Sequence, residues 1–285
     1  MSVQDFLTRA RRHVEARTPH LLDLFDTMAA EARFARAWLG EDLRRLRPSA
    51  PILEVGGGVF LLTCQMADEG FAVTAIEPTG MGFGSFEELG AIVLEFAARD
   101  GAVPTIARCR VEDFTSDARF ALAFSVNVME HVDSPDQAIA RVSAALSPGG
   151  SYRFLCPNYL FPYEPHFNIP TVGSKGLTWR LLRGRIEGNA GMDDPAGVWN
   201  SLNWITVPQV KRMAGTDQSL VADFRTSTLA WMLERAMNDA EFARRRAGWM
   251  VSAIRMLRAL HMFRLASLVP AVCQPIMDAR LTKRP

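Results

Sequence analysis

Pro51-Ile52-Leu53-Glu54-Val55-Gly56-Gly57-Gly58 is the stretch on which the fold turns. A short apolar run of this kind reads as a buried strand. Glycines directly after it permit a tight turn into a helix and let a ligand approach the backbone. Val59–Glu69 then reads as that helix, and Gly70 stops it.

Outward from this point the alternation repeats. Ala72–Ile76 is a second strand ending at Glu77, and Phe86–Arg99 carries Leu89, Ile92, Val93 and Phe96 at helical spacing. Pro104–Arg108 is a third strand, followed by Val111-Glu112-Asp113-Phe114, and Phe120–Val126 is a fourth. Ser134 caps the next helix, Pro135 suits its first position and Gln137 completes a capping box. Ser147-Pro148-Gly149-Gly150 stops that helix, and Ser151–Cys156 is a fifth strand. Strands separated by helical crossovers predict an α/β fold with a doubly wound, mainly parallel sheet.

Four sections follow. Residues 1–48 form a helical N-terminal section, 49–157 the α/β core, 158–203 a substrate loop or lid, and 204–285 the C-terminal completion with a helical extension. In the last section Thr206-Val207-Pro208 starts a helix reaching about Ala214, and Leu220–Thr226 suits a strand whose partner is not apparent. Residues 228–264 read as helical. There Arg244, Arg245, Arg246, Arg255, Arg258 and Arg264 accompany Trp249, Ile254, Leu257, Leu260 and Phe263. Packing on its own domain, or on a second subunit in a homodimer, is favoured for this face over a membrane surface.

Composition narrows the function classes. The 285 residues hold 32 basic and 31 acidic side chains, so no global basic field marks a nucleic-acid partner. Cys64, Cys109, Cys156 and Cys273 show no CxxC spacing, so no metal site is expected and a reducing compartment is the simplest reading. The N-terminus lacks an apolar h-region. The uncharged run Leu265–Met277 is too short to span a bilayer and contains Pro270 and Pro275. A cytoplasmic location is therefore expected.

In a doubly wound sheet, ligands bind beyond the carboxyl ends of the strands. Glu54, on the strand before Gly56, Gly57 and Gly58, would repel a pyrophosphate and complements a cation. Glu77 lies 23 residues further on and suits a ribose diol. Asp113 and Phe114 could offer a carboxylate and a ring to an adenine, although Asp113 equally suits a helix cap. Glu112 reads as solvated. The fourth strand runs into Asn127-Val128-Met129-Glu130-His131-Val132. His131 is a candidate catalytic base because imidazole titrates near neutrality. After the fifth strand, Tyr159, Tyr163, Glu164 and His166 lie in a proline-stiffened loop suited to substrate binding, with His166 a second catalytic candidate.

The order EVGGG, AIEP, VEDF, SVNVMEHV, then LSPGG-SYRFLCPN resembles the class I S-adenosylmethionine (SAM)-dependent methyltransferase family over about residues 50–157. The resemblance implies a Rossmann-like sheet of the seven-stranded type and SAM as cofactor, with S-adenosylhomocysteine as product. It implies that Glu54, Gly56, Gly57 and Gly58 line the methionine part, that Glu77 holds the ribose, and that Asp113 and Phe114 hold the adenine. Asn127 and Val128 would border the cofactor on its other side. The family often has a third glycine two positions after Gly58, where Phe60 stands here. The Asn-Pro-Pro-Tyr type of motif associated with amino-group methylation is absent after the fourth strand, which points to an oxygen of a small molecule or of a lipid or glycan precursor. The rivals are a non-catalytic scaffold of the same fold and an NAD(P)-dependent oxidoreductase, against which Glu54 argues.

Overall fold

The computed structural model describes residues 3–47, 49–79, 84–190, 192, 194–244 and 248–285. The N-terminal section is helical, with α1 (Val3–Arg17), α2 (Leu22–Trp38) and α3 (Gly40–Arg45). Phe6, Leu7, Ala10 and Val14 recur at helical spacing along α1 and are buried. The Phe6 ring meets Phe96 edge-on at 5.5 Å, which fixes α1 to the α/β core.

The core follows the alternation read from the sequence. It comprises β1 (Pro51–Val55), α4 (Leu61–Asp68), β2 (Ala72–Ile76), α5 (Gly84–Arg99), β3 (Thr105–Ala107), β4 (Phe120–Val126), α6 (Pro135–Ala145) and β5 (Leu146–Pro157). Pairs β1–β2, β2–β3 and β1–β4 are parallel, with Glu54 opposite Ala75 on one side and Phe124 on the other. The fifth strand begins earlier than its sequence suggests. Gly149 adopts φ 74°, and a Cβ on Gly150 would lie 2.8 Å from the Phe120 carbonyl oxygen. The two glycines therefore carry the chain into the sheet instead of away from it.

The remainder comprises a short antiparallel pair, β6 (Tyr163–Glu164) and β7 (Ile169–Pro170), then α7 (Lys175–Glu187), α8 (Pro195–Ser201), α9 (Val207–Thr216) and β8 (Leu220–Phe224). Helices α10 (Thr228–Asn238), α11 (Ala240–Arg244) and α12 (Gly248–Ala259) precede β9 (Ile276–Lys283). The seven-stranded sheet has the order β3-β2-β1-β4-β5-β9-β8. The order reverses at β1 and β4, the switch point of a doubly wound sheet. The missing partner of β8 is thus β9.

By compactness the chain forms two units. One holds residues 1–125, 140–152 and 283–285, and the other holds 126–139 and 153–282. Within the second, Tyr159, Phe167, Ile169, Ile186, Trp199 and Leu202 form one apolar cluster, with Trp179 and Trp204 against it. Trp199 and Trp204 are therefore core residues. Ala236, Phe242, Ile254 and Phe263 form another cluster with Met232 and Leu257, so α10, α11 and α12 pack on one another. Arg245 and Arg246 lie outside the described residues, as does the side chain of Trp249.

Candidate functional site

The glycine turn is pinned at its base. The Gly56 and Gly57 amides both donate to the Ile76 carbonyl, at 2.9 and 3.1 Å. Gly56 and Gly58 adopt φ 79° and 52°, where side chains are disfavoured. The Gly58 amide donates to Glu77 Oε2 at 2.8 Å, so the acid at the end of β2 closes the turn. Burial pushes the Glu77 carboxyl up, while the Gly58 amide and the Arg108 charge act the other way.

Glu54 is 6% exposed and accepts a hydrogen bond from the Thr63 hydroxyl. Burial pushes its carboxyl up to about 8, against the Thr63 bond and together with the charge of Glu77. A carboxylate held this far from water gains from a cationic partner. The ammonium of SAM is such a partner, and open space beyond Gly58 admits close approach to the backbone. The residues present therefore fit that cofactor.

Phe60 stands where the family often has glycine and keeps the glycine conformation, with φ 60°. Its ring is buried, and the Arg108 guanidinium lies over it at 4.8 Å. A Cβ on Gly57 would lie 2.8 Å from that ring and 3.2 Å from Ala75. Gly57→Ala is expected to destabilise the chain by about 1–3 kcal/mol through overpacking, read from urea unfolding. An unchanged midpoint would show that the ring yields freely.

Asp113 ends a single turn over Val111–Asp113, its amide bonded to the Arg110 carbonyl at 3.1 Å. Phe114 is 5% exposed and its ring lies 6.4 Å from Phe120, so much of it packs in the core. Glu112, read from sequence as solvated, lies 3.8 Å from the Arg110 guanidinium.

The second unit brings together residues from two loops. Asn127 follows β4 in a left-handed conformation, φ 56°, with its amide on the Leu155 carbonyl at 2.8 Å. The Val128 carbonyl accepts from the His131 amide at 2.8 Å. Asn203 holds this loop by donating its side-chain amide to the Met129 and Val132 carbonyls at 2.7 and 2.8 Å. From the loop after β5, Glu164 accepts from Tyr159 Oη at 3.2 Å, His166 Nδ1 at 2.6 Å and the Phe167 amide at 2.8 Å. Burial holds the Tyr159 phenol far above its usual range, so it stays a donor. Tyr163 Oη donates to Asn168 Oδ1 at 2.7 Å, on the short β6–β7 turn.

His166 Nε2 lies 3.9 Å from Glu130 Oε1, and the His131 and His166 rings meet edge-on at 5.2 Å. Burial pushes Glu130 up to about 7, the His166 charge opposing, and pushes His131 down to about 4. His131 is therefore a neutral imidazole at pH 7. The sequence reading named both histidines and Glu164, and Asn203 as part of a second substrate wall, but passed over Glu130 and Ser201. For Glu130 the available signal was its place beside His131 at the end of β4.

A family model described as a methyltransferase domain matches residues 23–188. The chain belongs to that family. Methyltransferases of this kind use SAM. Two relatives from Mycobacterium tuberculosis, named Uncharacterized protein Rv1509 and Uncharacterized protein MT1557, are each 65% identical over 279 residues, which is 98% of this chain and 94% of theirs. Phosphoethanolamine N-methyltransferase 2 of Haemonchus contortus, solved in complex with SAM, superposes with a TM-score of 0.52 at 14% identity. The alignment covers 97% of this methyltransferase and 60% of that chain, and it is a likeness of fold. Among the described residues, no helix is long and apolar enough to cross a membrane.

Proposed function

We propose that this methyltransferase transfers the methyl group of SAM to an oxygen of a small molecule or of a lipid or glycan precursor, in the cytoplasm. The observation that carries the reading is His166, anchored through Nδ1 on the buried Glu164, with Nε2 3.9 Å from the buried Glu130. An amine can attack as a neutral nucleophile, whereas a hydroxyl must lose its proton as it reacts. A carboxylate-held imidazole serves the second case. Glu54 takes the ammonium, Gly56, Gly57 and Gly58 line the methionine part, Glu77 takes the ribose diol and Asp113 the adenine amino group. Asn127 and Val128 border the cofactor, and Tyr159, Tyr163, Glu164 and His166 serve the acceptor.

SAM supplies a methyl group on a sulfonium, already a good leaving group. The protein aligns the acceptor, excludes water and receives the acceptor proton at the histidine cluster. The test is transfer of a ¹³C-methyl group from SAM into fractionated mycobacterial extract. The carbon shift of the labelled product separates O-methyl from N-methyl. An O-methyl product supports the reading, and an N-methyl product sinks it.

Glu54 makes affinity depend on pH. Its neighbours are the Thr63 hydroxyl, the Cys64 thiol, itself pushed up to about 12 by burial and by Glu54, and the Glu77 carboxyl. With the folded carboxyl raised to about 8, the free protein holds a proton that an ammonium partner expels. In the unliganded chain the sign is the reverse of the usual carboxylate case. Burial of Glu54 is tolerated at low pH, and stability falls as pH rises toward the folded value. SAM binding is expected to tighten almost tenfold per pH unit between about 5.5 and 7, below the titration of the ligand's own amine. Calorimetry in buffers of different ionisation enthalpy reads the released proton. A flat profile in the wild type, equal to that of Glu54→Gln, removes Glu54 from the ammonium site.

A further inference from the structure

We infer that Glu130, His131 and His166 form a binding site for a divalent first-row transition ion, with zinc the ion that the donor set suits best. Glu130 and His131 come from the loop after β4, and His166 comes from the loop after β5. One ligand atom from each lies within 4.8 Å of the others. Bonds of about 2.0–2.2 Å in a tetrahedral site require ligand atoms about 3.3–3.6 Å apart, which small side-chain rotations from this arrangement supply.

Each ligand is held from behind. Glu164 accepts His166 Nδ1 at 2.6 Å and is itself fixed by Tyr159 and the Phe167 amide. The bond at Nδ1 leaves Nε2 as the coordinating nitrogen. Ser201 Oγ donates to the Val198 carbonyl at 2.8 Å, so it accepts from His131 Nδ1 at 2.8 Å. His131 therefore carries its lone pair on Nε2. Asn203 grips the backbone on both sides of Glu130-His131, and its own amide donates to the Glu130 carbonyl at 2.8 Å.

Glu130 is the decisive member. It is 0% exposed, and among the described residues neither carboxylate oxygen has a hydrogen-bond partner in another residue. The 3.9 Å separation from His166 Nε2 is too long for a hydrogen bond. A buried carboxylate left so is costly, and a cation between these groups removes the cost. Two imidazoles and one carboxylate, with a position left open, is a donor set that zinc accepts.

The role rests on the oxygen-acceptor reading. An acceptor hydroxyl in the open position loses its proton to solvent more readily on the ion. The oxyanion then forms the C–O bond as the methyl–sulfur bond breaks, and S-adenosylhomocysteine leaves neutral. In that form the two imidazoles hold the ion instead of taking the proton.

The experiment uses the full chain, stripped with chelator and titrated with zinc by calorimetry and with cobalt(II) by visible absorption. One zinc per chain at micromolar or tighter affinity is expected, with cobalt bands of a low-coordinate site. Glu130→Gln and His166→Ala should weaken binding by about a hundredfold or more, and Glu164→Gln by about ten- to a hundredfold. Undiminished SAM binding by each variant shows that it is folded. A stripped wild type that binds SAM but takes up no zinc overturns the site. So does zinc binding that all three variants retain, which would place the ion on the cysteines or elsewhere. Zinc bound at these residues with an N-methyl product leaves the site standing and removes the oxygen-acceptor reading. O-methyl transfer at full rate by metal-free protein does the converse for the role of the ion.

Discussion

Glu77→Ala is expected to weaken SAM binding by about a hundred- to a thousandfold, with little change in the fold. Hydrogen bonds to a charged group contribute about 1.5–3 kcal/mol each. Glu77 already accepts from the Gly58 amide at 2.8 Å, and a ribose diol would add to that. Alanine removes both the ribose acceptor and the clasp that shapes the turn at Gly58, whose φ of 52° depends on the turn staying closed. Glu77→Gln keeps a neutral acceptor for the amide and should fall between the two. Calorimetric titration with SAM and S-adenosylhomocysteine checks both variants. A Glu77→Ala chain that binds within about threefold of wild type would remove Glu77 from the cofactor site.

Strands β1 and β2 were legible because each is a short, mostly buried apolar run ended by a glycine or an acid. Pro51–Val55 and Ala72–Ile76 matched to the residue. The closing strand β9 was not legible, because Ile276–Lys283 reads IMDARLTK and its charges break the apolar run. Of these charges Asp278 is buried and paired with Arg153, a property that only the three-dimensional structure reveals. Residues 157–203 hid a helix pair for a similar reason. Proline, glycine and asparagine suggested a loop, while the apolar side chains that order it, such as Tyr159 and Trp199, are distant in sequence.

At the candidate site, the placement of Glu54 and Glu77 at the ends of β1 and β2 could be read because strand ends in this fold have fixed positions. The grouping of Glu130 with His166 could not, since the two lie on different loops with 35 residues between them. Local spacing gave no metal-ligand pattern, and the expectation of no metal site followed from that. Phe60 shows a further limit. Sequence flagged the missing glycine, but not that a phenylalanine would keep the left-handed conformation by burying its ring against Gly57 and Gly90.

Asp278→Ala is the substitution expected to cost the most stability, about 3–5 kcal/mol. Arg153 on β5 donates to Asp278 on β9 through Nε at 2.9 Å and through Nη2 at 2.6 Å, and their side chains are 3% and 0% exposed. The Thr228 hydroxyl, at the start of α10, also donates to this carboxylate. Removing the acid therefore leaves a buried guanidinium without its bidentate partner and a buried hydroxyl without its acceptor. Asp278→Asn should cost less, because one oxygen still accepts from either Arg153 or Thr228. If the loss arises from an uncompensated charge and not from missing volume, Arg153→Met combined with Asp278→Leu should recover most of it. Urea midpoints of the single and double variants separate the two causes. A double variant no more stable than Asp278→Ala would show that the pair is needed for the shape of the β5–β9 junction, beyond the charge that each partner neutralises.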